Sequence, residues 1–359
     1  RTDCVLSETA RQLTSLNATS MNLVPQTGGR AKQNCRLNSM GWLKEFAYRV
    51  RRGPRLGGDA MHDHVAAVTG STDAFIFNFD ELEVHCYHVD APLPHFLYCT
   101  FGLSRVRSGI PVAGTQTELV LRTPADTPVP YAWPAEQLAS MVRMIRRTGD
   151  EIAPGHYLRL VQPVDGEAQI AAFTFVTDPL LGVIEPVTGI VRFTYAVGLT
   201  EPELEAALCW DPLKFTGVLG DYVPLGITDP DRGDILQISE ARGRFETGVG
   251  KEGSSISAVH AKLLDIDTGG RIYLDPDAAH AVMRAARHRL RFGHPFALVR
   301  EERWIRMSPM VRFEADASHV DIEATDRFIH ELLAIFDTAP GTYRFTSAPI
   351  EMHVVNPST

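Results

Sequence analysis

Residues 74–103 read AFIFNFDELEVHCYHVDAPLPHFLYCTFGL, and this stretch decides the fold. Phe75, Phe77 and Phe79 alternate with Ala74, Ile76 and Asn78, the period of two that marks a strand with two unlike faces. The next runs, 82–89 and 95–103, are also extended in character. Working outward, residues 117–122, 156–161, 170–177, 190–197 and 235–238 are expected as further strands. A helical bundle is excluded by their number.

Helix signals are fewer but well formed. Pro134 suits a first helical turn, and Leu138, Met141, Val142 and Ile145 follow at i, i+3, i+4 and i+7, with Gly149 placed to cap the end. Thr200 and Glu203 have the spacing of a capping box before residues 204–208. Asp275-Pro276 opens a third helix ending in Arg284, Arg287, His288 and Arg289, which read as a solvated basic helix end. A fourth helix is expected over residues 325–337. Strand runs with inserted helices indicate an α+β fold of two lobes, each a mainly antiparallel sheet with a few packed helices.

The polar, Gly-rich residues 241–255 are the expected linker, dividing a first domain, 61–240, from a second, 256–359. Residues 1–60 are read as a disordered leader or a mis-assigned start, since Met40 and Met61 are natural initiators. That segment carries ten Lys and Arg against four Asp and Glu, +6, which leaves 25 minus 40, −15, for residues 61–359 of a chain whose net charge is −9. An acidic body argues against nucleic-acid binding and suits a basic protein or peptide. Five scattered cysteines without a CxxC fit a reducing, cytoplasmic setting, and the scarcity of Lys suggests a GC-rich bacterial source.

Catalytic and metal motifs fail on inspection. Gly248, Gly250 and Gly253 match GxGxxG, but a dinucleotide site needs that pattern between a strand and a helix, whereas this one is expected to lead into an extended run. His330-Glu331 starts an HExxH that Ala334 breaks. Asp229, Asp231 and Asp234 read as a turn between strands, not a calcium loop. The densest set of ligand-type side chains is His62, Asp63, His64, His85, Cys86, His88, His95 and Cys99. On a strand over 82–89, His85 and Cys86 face opposite ways, so the set does not converge. A metal-dependent enzyme built on these residues is the alternative reading; no cofactor is expected on the first.

Residues 95–104 (HFLYCTFGLS), 117–122 (TELVLR), the Trp133-Pro134-Ala135-Glu136 helix start, Ile227-Thr228-Asp229 with Arg232-Gly233, and residues 252–262 (EGSSISAVHAK) together resemble the Suppressor of fused family, in order. The resemblance runs over about residues 74–355. It implies a non-enzymatic, two-lobed binding protein that holds an extended partner peptide between its lobes by strand addition. The matching partner-binding positions are Ala135, Met144, Ile152 and His156 in the first lobe and Val259 and Ala261 in the second. Where animal members place an aromatic and then an acidic contact, this chain has Met144 and His156, so the animal ligand is not expected to fit. Bacterial relatives resemble immunity proteins of polymorphic toxin systems, which implies a partner such as a basic toxin domain.

Overall fold

The alternation at residues 75–79 does build a strand, and the strands that follow pair with it in sequence. In a computed structural model, the described residues are 21–22, 58–80, 82–104, 116–160, 169–186, 189–267 and 271–356. Apart from residues 21–22 and 58–60, the expected leader lies outside them. The chain divides into two units, one of residues 21–204 with 219–234, the other including residues 205–218 and 235–359.

The first unit contains β1 (Met21–Asn22), α1 (Gly58–Thr69), β2 (Phe75–Phe79), β3 (Leu82–Val89), β4 (His95–Phe101), β5 (Gln116–Pro124), α2 (Trp133–Thr148), β6 (Tyr157–Arg159), β7 (Ile170–Thr177), β8 (Val183–Ile184) and β9 (Val191–Thr200). Its strands form one nine-stranded sheet, ordered β1-β6-β7-β9-β5-β4-β3-β2 with β8 on β9. Neighbours are antiparallel except β1/β6 and β5/β9. Leu138, Met141, Val142 and Ile145 of α2 are buried, as their spacing requires, in a core with Leu82, Val84, Phe96, Tyr98, Leu119, Leu121, Phe173 and Phe175. Gly149 closes α2 in the left-handed region, φ 76°, its N–H donating to Ile145 O at 2.8 Å.

The chain then runs through α3 (Glu201–Cys209), α4 (Pro212–Gly220), α5 (Ser239–Glu252), β10 (Ala258–His260), β11 (Leu264–Ile266), β12 (Arg271–Leu274), α6 (Pro276–His288), β13 (Phe296–Arg300), β14 (Arg303–Ser308), β15 (Glu314–Ala315), β16 (His319–Glu323), α7 (Asp326–Ile335), β17 (Gly341–Arg344) and β18 (Glu351–Val354). The capping box is present: Thr200 N–H donates to Glu203 Oε2 at 2.9 Å and Glu203 N–H to Thr200 Oγ1 at 3.4 Å. Asp275 and Thr325 cap α6 and α7, accepting from Ala278 N–H and Phe328 N–H. The second unit holds two sheets, β10-β13-β14-β16-β15 and β11-β12-β18-β17. Parallel pairs are more prominent there, at β10/β13, β14/β16 and β12/β18.

Three local expectations are corrected. Residues 235–238 are no strand but a 3-10 turn, Ile235–Gln237, leading into α5. Residues 241–255 are helical through Glu252 rather than a linker, because Ala241, Phe245, Gly248 and Glu252 fall at i, i+4, i+7 and i+11 on one face. Ala241 is buried, Phe245 meets Phe215 edge-on with ring centroids 6.3 Å apart, and Glu252 accepts from Trp210 Nε1 at 2.7 Å. Gly248 lies so close beneath the Trp210 indole that a Cβ would not fit. The GxGxxG glycines therefore close a helix end, and α1 carries His62, Asp63 and His64 where no helix was expected.

Candidate functional site

Core packing claims three of the six expected partner-binding residues. Ala135, Met144 and Ile152 belong to the core cluster of the nine-stranded sheet, with side chains that offer no surface to a partner. His156 is half-buried just before β6; its Nδ1 accepts from Ala153 N–H at 3.3 Å and its carbonyl accepts from Phe175 N–H at 3.0 Å. Val259 and Ala261 belong to the second unit, at β10, an end strand of the five-stranded sheet.

The β10 ladder has a definite polarity. Ala297 N–H donates to Ser257 O and Ala261 N–H donates to Val299 O, both at 2.9 Å, in a parallel register that pairs Val259 with Leu298. Parallel pairing uses the backbone of alternate residues, so 257, 259 and 261 engage β13. The N–H and C=O of Ala258 are turned to the other edge of β10.

Sequence reasoning missed the buried charges of the first unit. Glu118 is fully buried and accepts from Thr100 Oγ1 at 2.5 Å, Gly102 N–H at 3.1 Å, Ser104 N–H at 2.9 Å and Ser104 Oγ at 2.5 Å. Burial pushes its carboxyl up, and these donors pull it back. Arg122, also fully buried, lies 2.7 Å from Asp178 Oδ2 and 4.4 Å from the centre of the Tyr195 ring. Asp178 Oδ1 in turn accepts from Leu180 and Leu181 N–H at 2.9 and 2.7 Å. Arg232 makes a two-pronged contact with Glu203, at 2.6 and 2.5 Å, and donates to Gly198 O at 2.8 Å. The signal was available in the sequence: Glu118 and Arg122 flank the apolar run Leu119-Val120-Leu121 inside a strand, and a charge at such a position needs an internal partner.

These groups fix turns and strand ends. The ligand-type set does not converge: His62 and His85 meet with ring centroids 4.8 Å apart, both packed on Phe101, but His95 Nδ1 contacts Leu93 O at 2.8 Å and His64 Nε2 contacts Leu181 O at 2.8 Å. Cys86 and Cys99 are buried, and burial pushes both thiols up, away from the reactive thiolate. Among the described residues, no three His, Cys, Asp or Glu side chains are placed to hold a metal ion. Asp229 forms a turn by accepting from Asp231 N–H at 2.9 Å. Glu331, of the broken HExxH, accepts from Thr346 N–H at 2.7 Å and Ser347 N–H at 2.8 Å, and from both hydroxyls, which hold its carboxyl down at about 2. No described helix is long and apolar enough to cross a membrane.

Comparison with known proteins finds relatives for the first unit and for the fold. The profile of Suppressor of fused protein (SUFU) matches residues 79–233. The human and mouse proteins named Suppressor of fused homolog are each 28% identical over 186 residues, covering 47% of this chain and only 38% of theirs. The crystal structure of Drosophila Suppressor of Fused superposes with a TM-score of 0.66 at 17% identity, over 85% of this chain and 98% of its own, a likeness of fold. A chain of the Sufu–Fu complex crystal structure matches 55% of this chain and 98% of its own, at 22% identity and a TM-score of 0.49. The buried Glu118, Arg122, Asp178 and Glu203 all fall inside the matched segment, and residues 79–233 are a Suppressor of fused-like domain.

Proposed function

We propose that this chain is a non-enzymatic protein-binding module that captures an extended segment of a partner by strand addition, with β10 as the receiving edge of the second unit. The observation that carries this reading is the ladder polarity at β10: β13 engages residues 257, 259 and 261, and among the described strands none pairs with the opposite edge, toward which the Ala258 backbone points. Backbone bonds there would supply affinity, while Ala261, half-buried just past β10, would touch the partner and the buried Val259 would hold the strand in place. Because Ala135, Met144 and Ile152 are core residues, their part is to shape the first unit, and His156 remains the polar candidate beside β6.

Pull-down from the native host with Ala258→Pro tests it. Proline at 258 deletes an N–H that β13 does not use, so capture should be lost with a smaller fall in melting temperature than Val259→Pro causes, Ala258 being packed in a small core cluster. Undiminished capture by a folded Ala258→Pro protein refutes the edge assignment. Val259→Pro, which removes a bond to β13, is the control that should lower the melting temperature. The role we propose for capture is cytoplasmic sequestration of a basic protein, such as a toxin domain. The acidic balance of residues 61–359 supports this role. Co-expression with the product of an adjacent toxin-bearing reading frame should restore growth, and a failure to do so returns the protein to general scaffolding.

A further inference from the structure

Residues 278–300 contain no Asp or Glu but hold Arg284, Arg287, Arg289, Arg291 and Arg300 with His280, His288 and His294, in a chain of net charge −9. A helix C-terminus welcomes cations, and two of these serve the fold. Arg284 is buried and donates Nη1 to Glu205 Oε2 at 2.9 Å. Arg289 donates Nε to Pro295 O at 2.5 Å and Nη1 to Ser254 O at 2.6 Å. Arg287 and Arg291 are different: both are exposed, and among the described residues neither has a hydrogen-bond or ion-pair partner.

The backbone that presents them is firmly held. Ser254 N–H donates to His288 O at 2.5 Å, the turn Leu290–Phe292 ends in the left-handed Gly293 at φ 75°, and Gly253 packs against His288 O with no room for a Cβ. His288 is kept below its ordinary pKa by burial and next by Arg287, with Arg284 and Arg291 acting in the same direction against the pull of Glu205. The helix end is therefore a place where like charges are crowded without enough counter-charge.

We propose that Arg287 and Arg291, with His288 between them, form a docking surface for an acidic segment of a partner protein. Guanidinium groups accept carboxylates in paired, parallel hydrogen bonds. The surrounding acidic body disfavours such a segment elsewhere, so charge complementarity fixes where it lands. Nucleic acid is the poorer fit, because two free cations neutralise too few phosphates to hold a strand against a net charge of −9.

The test uses the full chain and a labelled peptide of alternating Asp and Glu, with its Asn/Gln counterpart as control, by fluorescence anisotropy at low ionic strength. The acidic peptide should bind and the neutral one should not. The double variant Arg287→Glu/Arg291→Glu should bind roughly tenfold more weakly or worse, with an unchanged melting temperature because both side chains are exposed and unpartnered. NMR titration of His288 should show a higher pKa in that variant and in the peptide complex. Should the double charge reversal unfold the protein, Arg287→Gln/Arg291→Gln gives the same comparison. Equal binding to wild type and variant, no binding at all, or tighter binding of inorganic phosphate or a single-stranded oligonucleotide than of the peptide would each overturn the proposal.

Discussion

In the unit built on the nine-stranded sheet, Glu118, Arg122, Asp178 and Glu203 are almost wholly buried, whereas in the other unit Lys262–Asp277, Arg271–Asp267 and Arg344–Glu351 stand largely in solvent. The difference separates two ways of specifying a sheet. Surface pairs contribute little and can be exchanged freely. Buried pairs repay their desolvation only when geometry is good, yet breaking one leaves an uncompensated charge inside. Fully buried charge pairs thus help set strand register in the first unit, while the second leans more on apolar faces such as Leu298, Ile305, Met307, Val320 and Ile322, with Arg306 on Asp321 at 2.8 and 2.6 Å as its one cross-strand pair of comparable kind among the described residues.

The sharpest way to break this contrast is Arg122→Met. Stranding Asp178 should cost about 3 to 5 kcal/mol in urea unfolding, and Arg122→Met/Asp178→Leu should recover most of it; additive losses would mean the two side chains do not act as a pair. In the second unit, Gly248→Ala should cost about 1 to 3 kcal/mol by driving a methyl into the Trp210 indole, measured by thermal melting. Glu331→Gln should act through pH alone. Its carboxyl is held from 4.5 down to about 2 in the folded protein, so its stabilisation is present above about pH 4.5 and is lost as pH falls toward 2. The wild-type melting temperature should therefore fall more steeply than the variant's across that window. Smallest of all, Arg344→Ala should leave the melting temperature unchanged, since the guanidinium of its pair is largely exposed.

Much of the first unit was legible because its strands repeat simple rules. Residues 75–79, 82–89 and 170–177 became strands at those positions, and the Pro134 start and Gly149 stop of α2 were fixed by local chemistry. Legibility failed where tertiary contacts overrode local composition. Four glycines made residues 241–255 look like a linker, yet the buried Ala241, the Phe245 ring and the Trp210 indole over Gly248 hold a helix there. Among the candidate site residues, Val259 lies on β10, an end strand, and Ala261 directly follows it. Ala135, Met144 and Ile152 could have been recognised as core from their apolar character alone.

The glycines of α5 also bear on how the molecule comes apart. Gly243, Gly248 and Gly250 occupy helical positions, and each forfeits about 1 kcal/mol relative to alanine in a helix interior. Such a segment has little intrinsic tendency to coil without its neighbours, so it is held mainly by what it touches. It is the natural weak point for local opening, and Arg242, Arg244 and Lys251 would then give a trypsin-like protease its first purchase on the chain.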